Sequence, residues 1–534
     1  MADLTITVKG NWATLQGGRI PRLLHDELSA MDPNARMNPA FRQKRWDGRV
    51  PLYDGSEFPS GLVDRACEAL KLKGYTVAVK RPKDQPLDIS DLDPGYMLIP
   101  LDDGSEVEMW DHAVDSVRAM MQHNRGVIKA PTSSGKTGMA GCAALKFFCD
   151  RAWKTVVMVP KKGLLVQTVK AFKRYYHDLP IRVGQVGDGK KEIGDVTVVT
   201  AQSCLGYFGR RYKGKRQPPD ATIRKLIDDC DVFMIDEAHH TGAESWYRLA
   251  LTCPHKRVYG LSGTPMTGHD LMDLRLMAAC GPVIHTVPEE ALRDKGLVSR
   301  AKIVTVVNAN ASEPELPKVL LNNGKKGDDY KEWMGPPPYA QAYVQSLVES
   351  ERHNNAVIKS VEWMVDRGRQ TLLVTRRKPH YETLGSMLEQ RGIAWSGAWG
   401  DHDTPERDLA VKQFEQRSVN VLLATTIFDE GESVNAIESI VLSEGVKTSV
   451  NSIQRIGRGR RRESGGVDDV WVVDFASLAH DTLYKHAVAR LTAWEGEGYE
   501  CRLVEDWPLP DDDDVPIDLF PFEHWDEGKQ GELF

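Results

Sequence analysis

The stretch that most constrains this chain is Ala130–Thr137, which reads APTSSGKT. An apolar run at 126–128 precedes it and small and apolar residues at 138–148 follow, so the pattern predicts a buried strand, a tight loop and a helix. A loop ending in Gly-Lys-Thr between a strand and a helix presents backbone N–H groups and a helix N-terminus to a polyphosphate. Ala130 replaces the usual first glycine of such a loop, so the prediction also depends on partners elsewhere in the chain.

The loop residues have distinct expected roles. Lys136 would reach the β and γ phosphates of ATP, and Thr137 would place its hydroxyl on Mg²⁺. The other loop residues expected to bind the nucleotide are Thr132, Ser133, Ser134 and Gly135.

An acidic pair supplies the partner that a phosphate loop needs. Asp236 and Glu237 follow the apolar run 232–235 and lie roughly 100 residues after the loop. We expect Asp236 to hold Mg²⁺ and Glu237 to orient and deprotonate the attacking water. An isolated acidic pair would instead be an ordinary surface turn.

Two further motifs indicate nucleotide chemistry less strongly, when taken alone, than the phosphate loop and the acidic pair do. The segment 261–265, LSGTP, ends another apolar run, and Ser262 and Thr264 could bond the acidic pair and link the nucleotide state to domain movement. His239 is assigned to the same coupling role. The segment 454–462, QRIGRGRRR, offers arginines whose planar fork suits a transferring phosphoryl group, although alone it would be a solvated basic run.

In this order the motifs resemble superfamily-two helicases of the DEAH-box, XPB-like kind. The segments 159–167, 200–203, 372–376 and 424–431 extend the resemblance, which covers roughly residues 105–480. It implies two RecA-like lobes with ATP in the cleft and nucleic acid lying across both. The residues to which it assigns roles are Gln454, Arg458 and Arg461 in catalysis, Gly431 near the phosphates, and Lys161, Thr200 and Gln202 on the nucleic-acid face, with Arg460 a competing finger candidate.

Two positions depart from the family pattern. Asp111, within 110–114, stands where the adenine-reading glutamine is expected, and Ser433 replaces an acidic residue two positions after Gly431. These departures concern base selection and the coupling contact of that motif.

Basic residues are interleaved with aromatic ones at two places outside the core motifs. The segment FRQKRWDGRVPLY at 41–53 resembles the region ahead of the helicase core in bacteriophage UvsW-type proteins, which act on branched DNA. The residues expected to form a DNA-binding face are Arg42, Lys44, Arg45, Trp46 and Arg49 in this segment, with Arg210, Arg211 and Lys213 in a second basic segment at 207–216. Each segment could instead be solvated surface.

The predicted fold class is α/β, with two RecA-like parallel-sheet lobes preceded by a small α+β DNA-binding domain. The expected segments are this domain at 1–95, the ATP-binding lobe at 96–305, an inter-lobe insertion at 306–339, the second lobe at 340–504 and an acidic tail at 505–534. The strands predicted from short apolar runs are 126–128, 155–159, 196–200, 232–235 and 258–261 in the first lobe, and 371–375, 419–424, 439–442 and 470–474 in the second. Pro21–Met31 is predicted as a helix and 81–95 as a linker.

Charge and composition limit the function classes. The net charge is −7, but residues 505–534 carry eleven acidic residues and one lysine, which leaves +3 on the rest of the chain. The eight cysteines form no C-x-x-C pair, so disulfides and a structural zinc site are not expected. The N-terminus lacks an apolar signal segment, and we expect an intracellular protein. The aromatic and acidic tail could dock a protein partner or be simply solvated.

The leading hypothesis is an ATP-dependent DNA helicase or translocase that unwinds or branch-migrates forks and Holliday-type junctions, with ATP and Mg²⁺ as cofactors. The alternatives are an RNA helicase, the motor subunit of a restriction or defence complex, and a non-catalytic nucleic-acid-binding scaffold.

Overall fold

Two large sheets organise the chain, and each lies in a separate unit of the computed structural model, Met1–Ala291 and Leu292–Phe534. The residues that the structure describes are 3–82, 87–101, 104–131, 134–212, 215–252, 257–266, 268–294, 300–307, 339–399, 404–425, 434, 436–444, 469–477, 480–496 and 499–504. Among the helices in these ranges, none is both long and apolar enough to cross a membrane.

The first unit begins with a small α+β domain. Its elements are β1 (Asp3–Lys9), β2 (Trp12–Gln16), α1 (Ile20–Leu23), β3 (Ser29–Met31), α2 (Pro39–Arg42), β4 (Arg49–Pro51), β5 (Glu57–Pro59), α3 (Val63–Leu72) and β6 (Thr76–Lys80). The strands form a four-stranded sheet in the order β5-β2-β1-β6 and a separate β3-β4 pair. The predicted helix over Pro21–Met31 is wrong, because α1 ends at Leu23 and Ser29–Met31 pairs with Arg49–Pro51.

The residues predicted as a linker at 81–95 pack instead, as far as they are described. Leu87 and Leu92 are buried, and Asp91 forms an ion pair of 2.7 Å with Lys146, a side chain that is only 1% exposed. Lys146 also lies 3.0 Å from Asp150. Because a buried ammonium needs such partners, this pairing fixes the segment on the first lobe. A short β7-β8 pair (Ile99–Pro100 and Glu106–Val107) follows.

The rest of the first unit is a parallel sheet with helices between its strands. Its elements are α4 (Asp111–Gln122), β9 (Arg125–Lys129), α5 (Lys136–Arg151), β10 (Thr155–Val159), α6 (Lys162–Tyr175), β11 (Val183–Gly187), β12 (Lys190–Glu192), β13 (Val196–Thr200), α7 (Ala201–Cys204), β14 (Arg210–Tyr212), β15 (Lys215–Gln217), α8 (Ala221–Asp228), β16 (Val232–Asp236), α9 (Glu244–Thr252), β17 (Arg257–Ser262), α10 (Asp270–Cys280), β18 (Val283–Thr286) and α11 (Glu289–Asp294). The strand order is β12-β11-β13-β10-β16-β17-β9-β18, and every pairing is parallel except β11-β12.

Helix α10 joins the small domain to this lobe. Leu271, Leu274 and Ala278 belong to the same buried cluster as residues of the small domain such as Phe58 and Leu62. The side chain of Arg125 on β9 donates to Asn11 Oδ1 at 2.8 Å, and burial lowers the pKa of this arginine to about 10. The small domain therefore shares an apolar core and a buried polar contact with the first lobe.

The second unit repeats the parallel-sheet design. Its elements are β19 (Arg300–Val307), α12 (Tyr339–Tyr343), α13 (Glu351–Asp366), β20 (Thr371–Val374), α14 (Lys378–Gln390), β21 (Trp395–Ala398), α15 (Thr404–Glu415), β22 (Val421–Ala424), β23 (Ser439–Leu442), β24 (Asp469–Ala476), α16 (Asp481–Gly496) and β25 (Glu500–Val504). Its strand order is β21-β22-β20-β23-β24-β19-β25, with parallel pairings.

The predicted fold class is confirmed: two α/β lobes built on parallel sheets follow a small α+β domain. One expected boundary falls inside an element. The lobe border placed at 305 cuts β19, whose residues Arg300–Val307 pair with β24 and β25 of the second sheet. The expected insertion, 306–339, and the acidic tail, 505–534, lie almost wholly outside the described residues.

Candidate functional site

Three sequence motifs meet at the carboxyl ends of neighbouring strands. In the sheet register Leu261 on β17 pairs with Ile128 on β9 and with Asp236 on β16. The backbone N–H of Ala130 donates to the carbonyl oxygen of Ser262 at 3.0 Å. The phosphate-loop segment, the SGT segment and the acidic pair therefore lie together at one sheet edge, where ligands of parallel α/β sheets bind.

The phosphate-loop segment has the backbone that its sequence predicts. Gly135 precedes α5 with φ 84° and ψ 28°, in the left-handed region that glycine tolerates best. The ammonium of Lys136 donates to the carbonyl oxygens of Ala130 and Pro131 at 3.2 and 3.4 Å. Ala130 is fully buried, so its methyl group lies in the lobe core where the common pattern has glycine. Thr137 is in the first turn of α5, and Thr132 and Ser133 lie outside the described residues.

The start of α4 packs against this segment. The Nε2 of His112 lies 3.0 Å from the carbonyl oxygen of Ser134, and the Ser134 hydroxyl donates to the carbonyl oxygen of Pro131 at 2.7 Å. The indole of Trp110 covers Gly135, where an added Cβ would lie 3.4 Å from the ring. Asp111, at the position expected for the adenine-reading glutamine, is exposed at the first residue of α4.

The acidic pair is electrostatically unfavourable in the free protein. Desolvation at the strand end and the neighbouring charge of Glu237 raise the pKa of Asp236 to about 7, although Lys136 acts in the opposite direction. Glu237 is one of the few described non-glycine residues in the left-handed region, with φ 49° and ψ 54°. Its Oε2 is buried and has no hydrogen-bond partner among the described residues. Strain and an unsatisfied oxygen at one residue are typical of a site that a ligand completes.

The predicted coupling residues contact one another. The Nδ1 of His239 lies 3.2 Å from the Ser262 hydroxyl and 3.5 Å from Oε2 of Glu237. The Ser262 hydroxyl also accepts the backbone N–H of Thr264 at 3.2 Å. One histidine thus connects the acidic pair to the SGT segment.

These groups fit Mg²⁺ and a polyphosphate. Carboxylate and hydroxyl oxygens are the ligands that Mg²⁺ prefers, and Asp236 and Thr137 offer them at the same sheet edge. The cationic Lys136 and the N-terminus of α5 supply the positive charge that phosphate oxygens need.

The residues assigned to nucleic acid by the core motifs have different environments. Lys161 and Gln202 are exposed at the starts of α6 and α7. Thr200 is only 5% exposed, and its hydroxyl accepts the backbone N–H of Ser203 at 3.2 Å, so it caps α7. Thr200 thus has a capping role, and its contact with nucleic acid stays a prediction.

The second basic segment forms a hairpin. The strands that carry Arg210 and Arg211 and the following basic residues pair in antiparallel register, Arg210 opposite Gln217. Lys213 lies outside the described residues.

The basic residues of the small domain divide into two groups. Arg42, Lys44, Arg45 and Trp46 line a pocket of about 720 Å³ together with three residues that were not singled out as site residues, Arg36, Phe41 and Asp47. Arg49 does not line it: its guanidinium donates to the Ser29 hydroxyl at 2.8 Å and to the Asp26 and Ser29 carbonyl oxygens at 2.8 and 2.7 Å. Arg49 therefore holds β3 and β4 together, and its place on the DNA face stays a prediction.

The site residues expected in the second lobe lie outside the described residues: Gly431, Gln454, Arg458 and Arg461. Their roles stay predictions.

A phosphate-loop segment, an acidic strand end and a histidine-linked SGT segment at one parallel-sheet edge define a nucleotide-hydrolysing lobe of the phosphate-loop class. The family described as "Type III restriction enzyme, res subunit" matches residues 106–267, and the "Helicase conserved C-terminal domain" family matches residues 353–463. The chain belongs to the superfamily-two helicases, which are ATP-dependent. This confirms the family resemblance and gives the two sheets as RecA-like lobes.

Three relatives show how far the similarity extends. "Putative helicase 22" of a Sulfolobus islandicus filamentous virus is 26% identical, with 73% of this chain and 68% of the relative covered. "ATP-dependent DNA helicase uvsW" of Enterobacteria phage T4 is 21% identical, with 89% and 93% covered. "ATP-dependent RNA helicase eIF4A" of Chaetomium globosum is 36% identical, with 54% and 76% covered.

Among solved structures, the "ATP-dependent Type ISP restriction-modification enzyme LlaBIII bound to DNA" is similar in fold, with a TM-score of 0.54 and 12% identity. The match covers 84% of this chain and 34% of that chain.

Proposed function

We propose that this helicase is an ATP-driven DNA translocase that remodels branched DNA such as forks and four-way junctions. The observation that carries the proposal is the cationic, aromatic-lined pocket of the small domain, which is packed on the ATP-binding lobe through α10. Positive charge and aromatic rings together suit a nucleic-acid strand. The relative named a DNA helicase matches 89% of this chain, whereas two relatives named RNA helicases match 72% and 54%.

In the proposed reaction each group at the sheet edge has one task. Lys136 exchanges its carbonyl contacts at Ala130 and Pro131 for phosphate oxygens, and the loop amides hold the rest of the triphosphate. Glu237 orients the attacking water and takes its proton at Oε2. Bound Mg²⁺, held by Thr137 and Asp236, supplies charge neutralisation on the phosphates.

Coupling to movement is assigned to His239, Ser262 and Thr264, because this histidine contacts both the hydrolytic carboxylate and the SGT segment. In the second lobe, Arg458 and Arg461 are proposed to stabilise the transferring phosphoryl group, with Gln454 and Gly431 at the nucleotide. An arginine finger contributes roughly 10³–10⁵ in rate.

Nucleic acid is proposed to contact the first unit. The proposed contacts are Lys161, Thr200 and Gln202 at the strand ends, Arg42, Lys44, Arg45, Trp46 and Arg49 in the small domain, and Arg210, Arg211 and Lys213 in the second basic segment. The domain limits proposed above are kept with one change, that the second lobe includes β19 from Arg300. The acidic tail is proposed as a docking segment for a protein partner.

The proposal is tested by the ATPase rate of the full chain across forked DNA, four-way junctions, linear duplex, single strands and structured RNA. We expect the largest stimulation with branched DNA. Maximal stimulation by RNA would favour an RNA helicase, and equal stimulation by every duplex would favour a motor subunit of a restriction complex.

Two substitutions test the site. Lys136→Ala removes the ammonium aimed at the phosphates and Glu237→Gln removes the base, so each should lower the DNA-stimulated rate by at least about 10²-fold. Lys190→Ala, on the exposed edge strand β12, is the matched control and should leave the rate unchanged. Wild-type turnover in either site variant would refute the assignment.

A further inference from the structure

We infer that the pocket of the small domain binds a single unpaired nucleotide of DNA, with its base on an aromatic floor and its phosphate on a cationic rim. The aromatic floor is Phe41 and Trp46, and the cationic rim is Arg36, Arg42, Lys44 and Arg45. The inference names the part of the substrate that this pocket takes, and it rests on the proposed action on branched DNA.

The aromatic floor is fixed before any ligand binds. The indole N–H of Trp46 donates to the carbonyl oxygen of Arg49 at 2.8 Å. Phe41 lies edge-to-face with Trp46, with ring centroids 6.4 Å apart and an interplanar angle of 74°. Gly48 leaves room for the Phe41 ring, since an added Cβ would lie 2.7 Å from it. A floor held in place loses little side-chain entropy when a base stacks on it.

The loop that carries the rim is also held by its own backbone. The carbonyl oxygen of Ala40 accepts the N–H groups of Arg45 at 2.8 Å and Trp46 at 3.3 Å, and Asn38 caps the preceding turn. Lys44, which lies between Ala40 and Arg45 in this loop, has φ 56°, and this backbone conformation is unfavourable for a residue with a side chain. Strained backbone kept by surrounding hydrogen bonds clusters at ligand-binding positions.

The cationic rim lacks counter-charges of its own. In the part of the chain that the structure describes, no ion pair joins Arg36, Arg42, Lys44 or Arg45 to a carboxylate. Elsewhere in the same domain the arrangement is different, since Arg65 pairs with Glu27 and Arg81 with Asp64. Four cationic side chains and one carboxylate, Asp47, line the pocket, and this excess of positive charge attracts a polyanion.

Asp47 makes one wall of the pocket negatively charged, opposite in sign to the cationic rim. Its carboxylate accepts the backbone N–H of Arg49 and lies 2.9 Å from His25 Nε2, and these contacts lower the pKa of Asp47, so it stays negative. A phosphate is repelled from this wall and drawn to the rim. The carboxylate is left to accept a hydrogen bond from an amino group on the edge of a base.

Shape separates an unpaired nucleotide from intact duplex. A paired base shows no free ring face, whereas a nucleotide out of the stack can enter a cavity and stack on aromatic side chains. The pocket is a wide surface concavity of about 720 Å³, which is large enough to admit one nucleotide. Contact with duplex phosphates alone would need the rim but not the floor.

The test is equilibrium binding of the full-length chain, without ATP, to two DNAs of equal length, one fully paired and one with a single unpaired 2-aminopurine at its centre. Trp46→Ala should weaken binding to the unpaired DNA about tenfold and change binding to the paired duplex less than twofold. Wild-type protein should change the 2-aminopurine fluorescence, and Trp46→Ala should lose this change. Because no hydrolysis is involved, failure of the motor proposal leaves the result interpretable.

Matched variants separate stacking from charge and from misfolding. Trp12→Ala removes a 41%-exposed tryptophan from the same domain and should alter neither affinity. Arg45→Gln should weaken binding to both DNAs equally and make the dependence of the affinity on salt concentration shallower. Trp46→Phe keeps a ring and should retain most of the preference. The inference is overturned if Trp46→Ala weakens binding to both DNAs equally or leaves both affinities unchanged. It is also overturned if the wild-type protein does not change the 2-aminopurine fluorescence.

Discussion

At the end of β16 the carboxylates of Asp236 and Glu237 are adjacent. Their mutual repulsion and the backbone conformation of Glu237 both destabilise the ligand-free protein. The raised pKa of Asp236 shows that its ionised form is destabilised, and the left-handed backbone of Glu237 costs on the order of 1 kcal/mol. Such residues lower the stability of the ligand-free protein. We therefore expect the acidic pair to be retained for its chemistry rather than for folding.

Asp236→Asn should stabilise the protein in the absence of nucleotide and Mg²⁺. The pKa of Asp236 is about 7 in the folded state and 3.8 in its ordinary range, so the folded state binds the proton more tightly. The stability linked to that proton is complete below the ordinary pKa and is lost as pH rises through about 7. The increase in the free energy of unfolding caused by Asp236→Asn should thus be small near pH 4 and reach about 1–2 kcal/mol at pH 8. This figure allows for the partial exposure of the Asp236 side chain.

Thermal unfolding at several pH values measures this gain. Asp178→Asn, a substitution of an exposed carboxylate in the same unit, is the control and should show no comparable dependence on pH. A melting temperature for Asp236→Asn equal to that of the wild type at pH 8 would contradict the prediction.

At the scale of elements, strands buried on both faces were predictable. Thr155–Val159, Val196–Thr200 and Ser439–Leu442 match their predicted bounds, because a strand covered on both sides must be a short apolar run rich in β-branched residues. Ser29–Met31 and Arg300–Val307 were not placed correctly. Their assignment depends on partners distant in sequence, at 49–51 and at 469–476 and 500–504, which no local pattern specifies.

In the candidate site, too, some residues were predictable from the sequence and others were not. Lys136, Asp236 and Glu237 were identified because phosphate and metal chemistry need those residue types after apolar strands. The capping role of Thr200 and the structural role of Arg49 were not predictable, since both follow from hydrogen bonds that only the folded backbone creates. Asp47 lies within the basic and aromatic segment 41–53 but had no assigned role, and Arg36 lies outside that segment, so the sequence pattern assigned neither to the pocket.

The contact between α10 and the small domain gives a prediction about one glycine. An added Cβ at Gly61 would lie 2.2 Å from the carbonyl oxygen of Met277 and 2.6 Å from that of Ala278. Gly61→Ala should therefore separate these backbones and lower the stability of the first unit by about 1–3 kcal/mol.

Chemical denaturation and DNA binding of the same variant measure the effect. Gly163→Ala on α6 is the matched control, because no atom lies within 4 Å of its added Cβ and alanine favours a helix. Its stability should equal or exceed that of the wild type. A Gly61→Ala protein as stable as Gly163→Ala would show that the contact is not close.

At the scale of the whole molecule, the small domain is part of the first unit rather than a separate module. Leu271, Leu274 and Ala278 bury one face of α10 against it, and Asn11 pairs with Arg125 across the contact. A chain that begins at residue 96 should expose this apolar face and leave Arg125 without Asn11.

We expect such a truncated chain to aggregate at concentrations where the full chain does not, which light scattering detects. Replacing Leu271 and Leu274 by serine in the truncated chain should reduce the aggregation, since the exposed patch becomes polar. A truncated chain that stays monodisperse without these replacements would contradict the shared core.

The ion pairs that the buried Lys146 forms with Asp91 and Asp150 have a consequence for how such sequences diverge. Lys146 is only 1% exposed, whereas Asp91 is 50% exposed and Asp150 is a second partner of the ammonium. Losing Asp91 alone therefore leaves Lys146 paired, whereas losing both carboxylates leaves a buried charge without a partner, at a cost of roughly 3–5 kcal/mol. Among relatives, position 91 should therefore vary more freely than position 146. Loss of both acidic residues is tolerated only in lineages where the lysine has also been replaced.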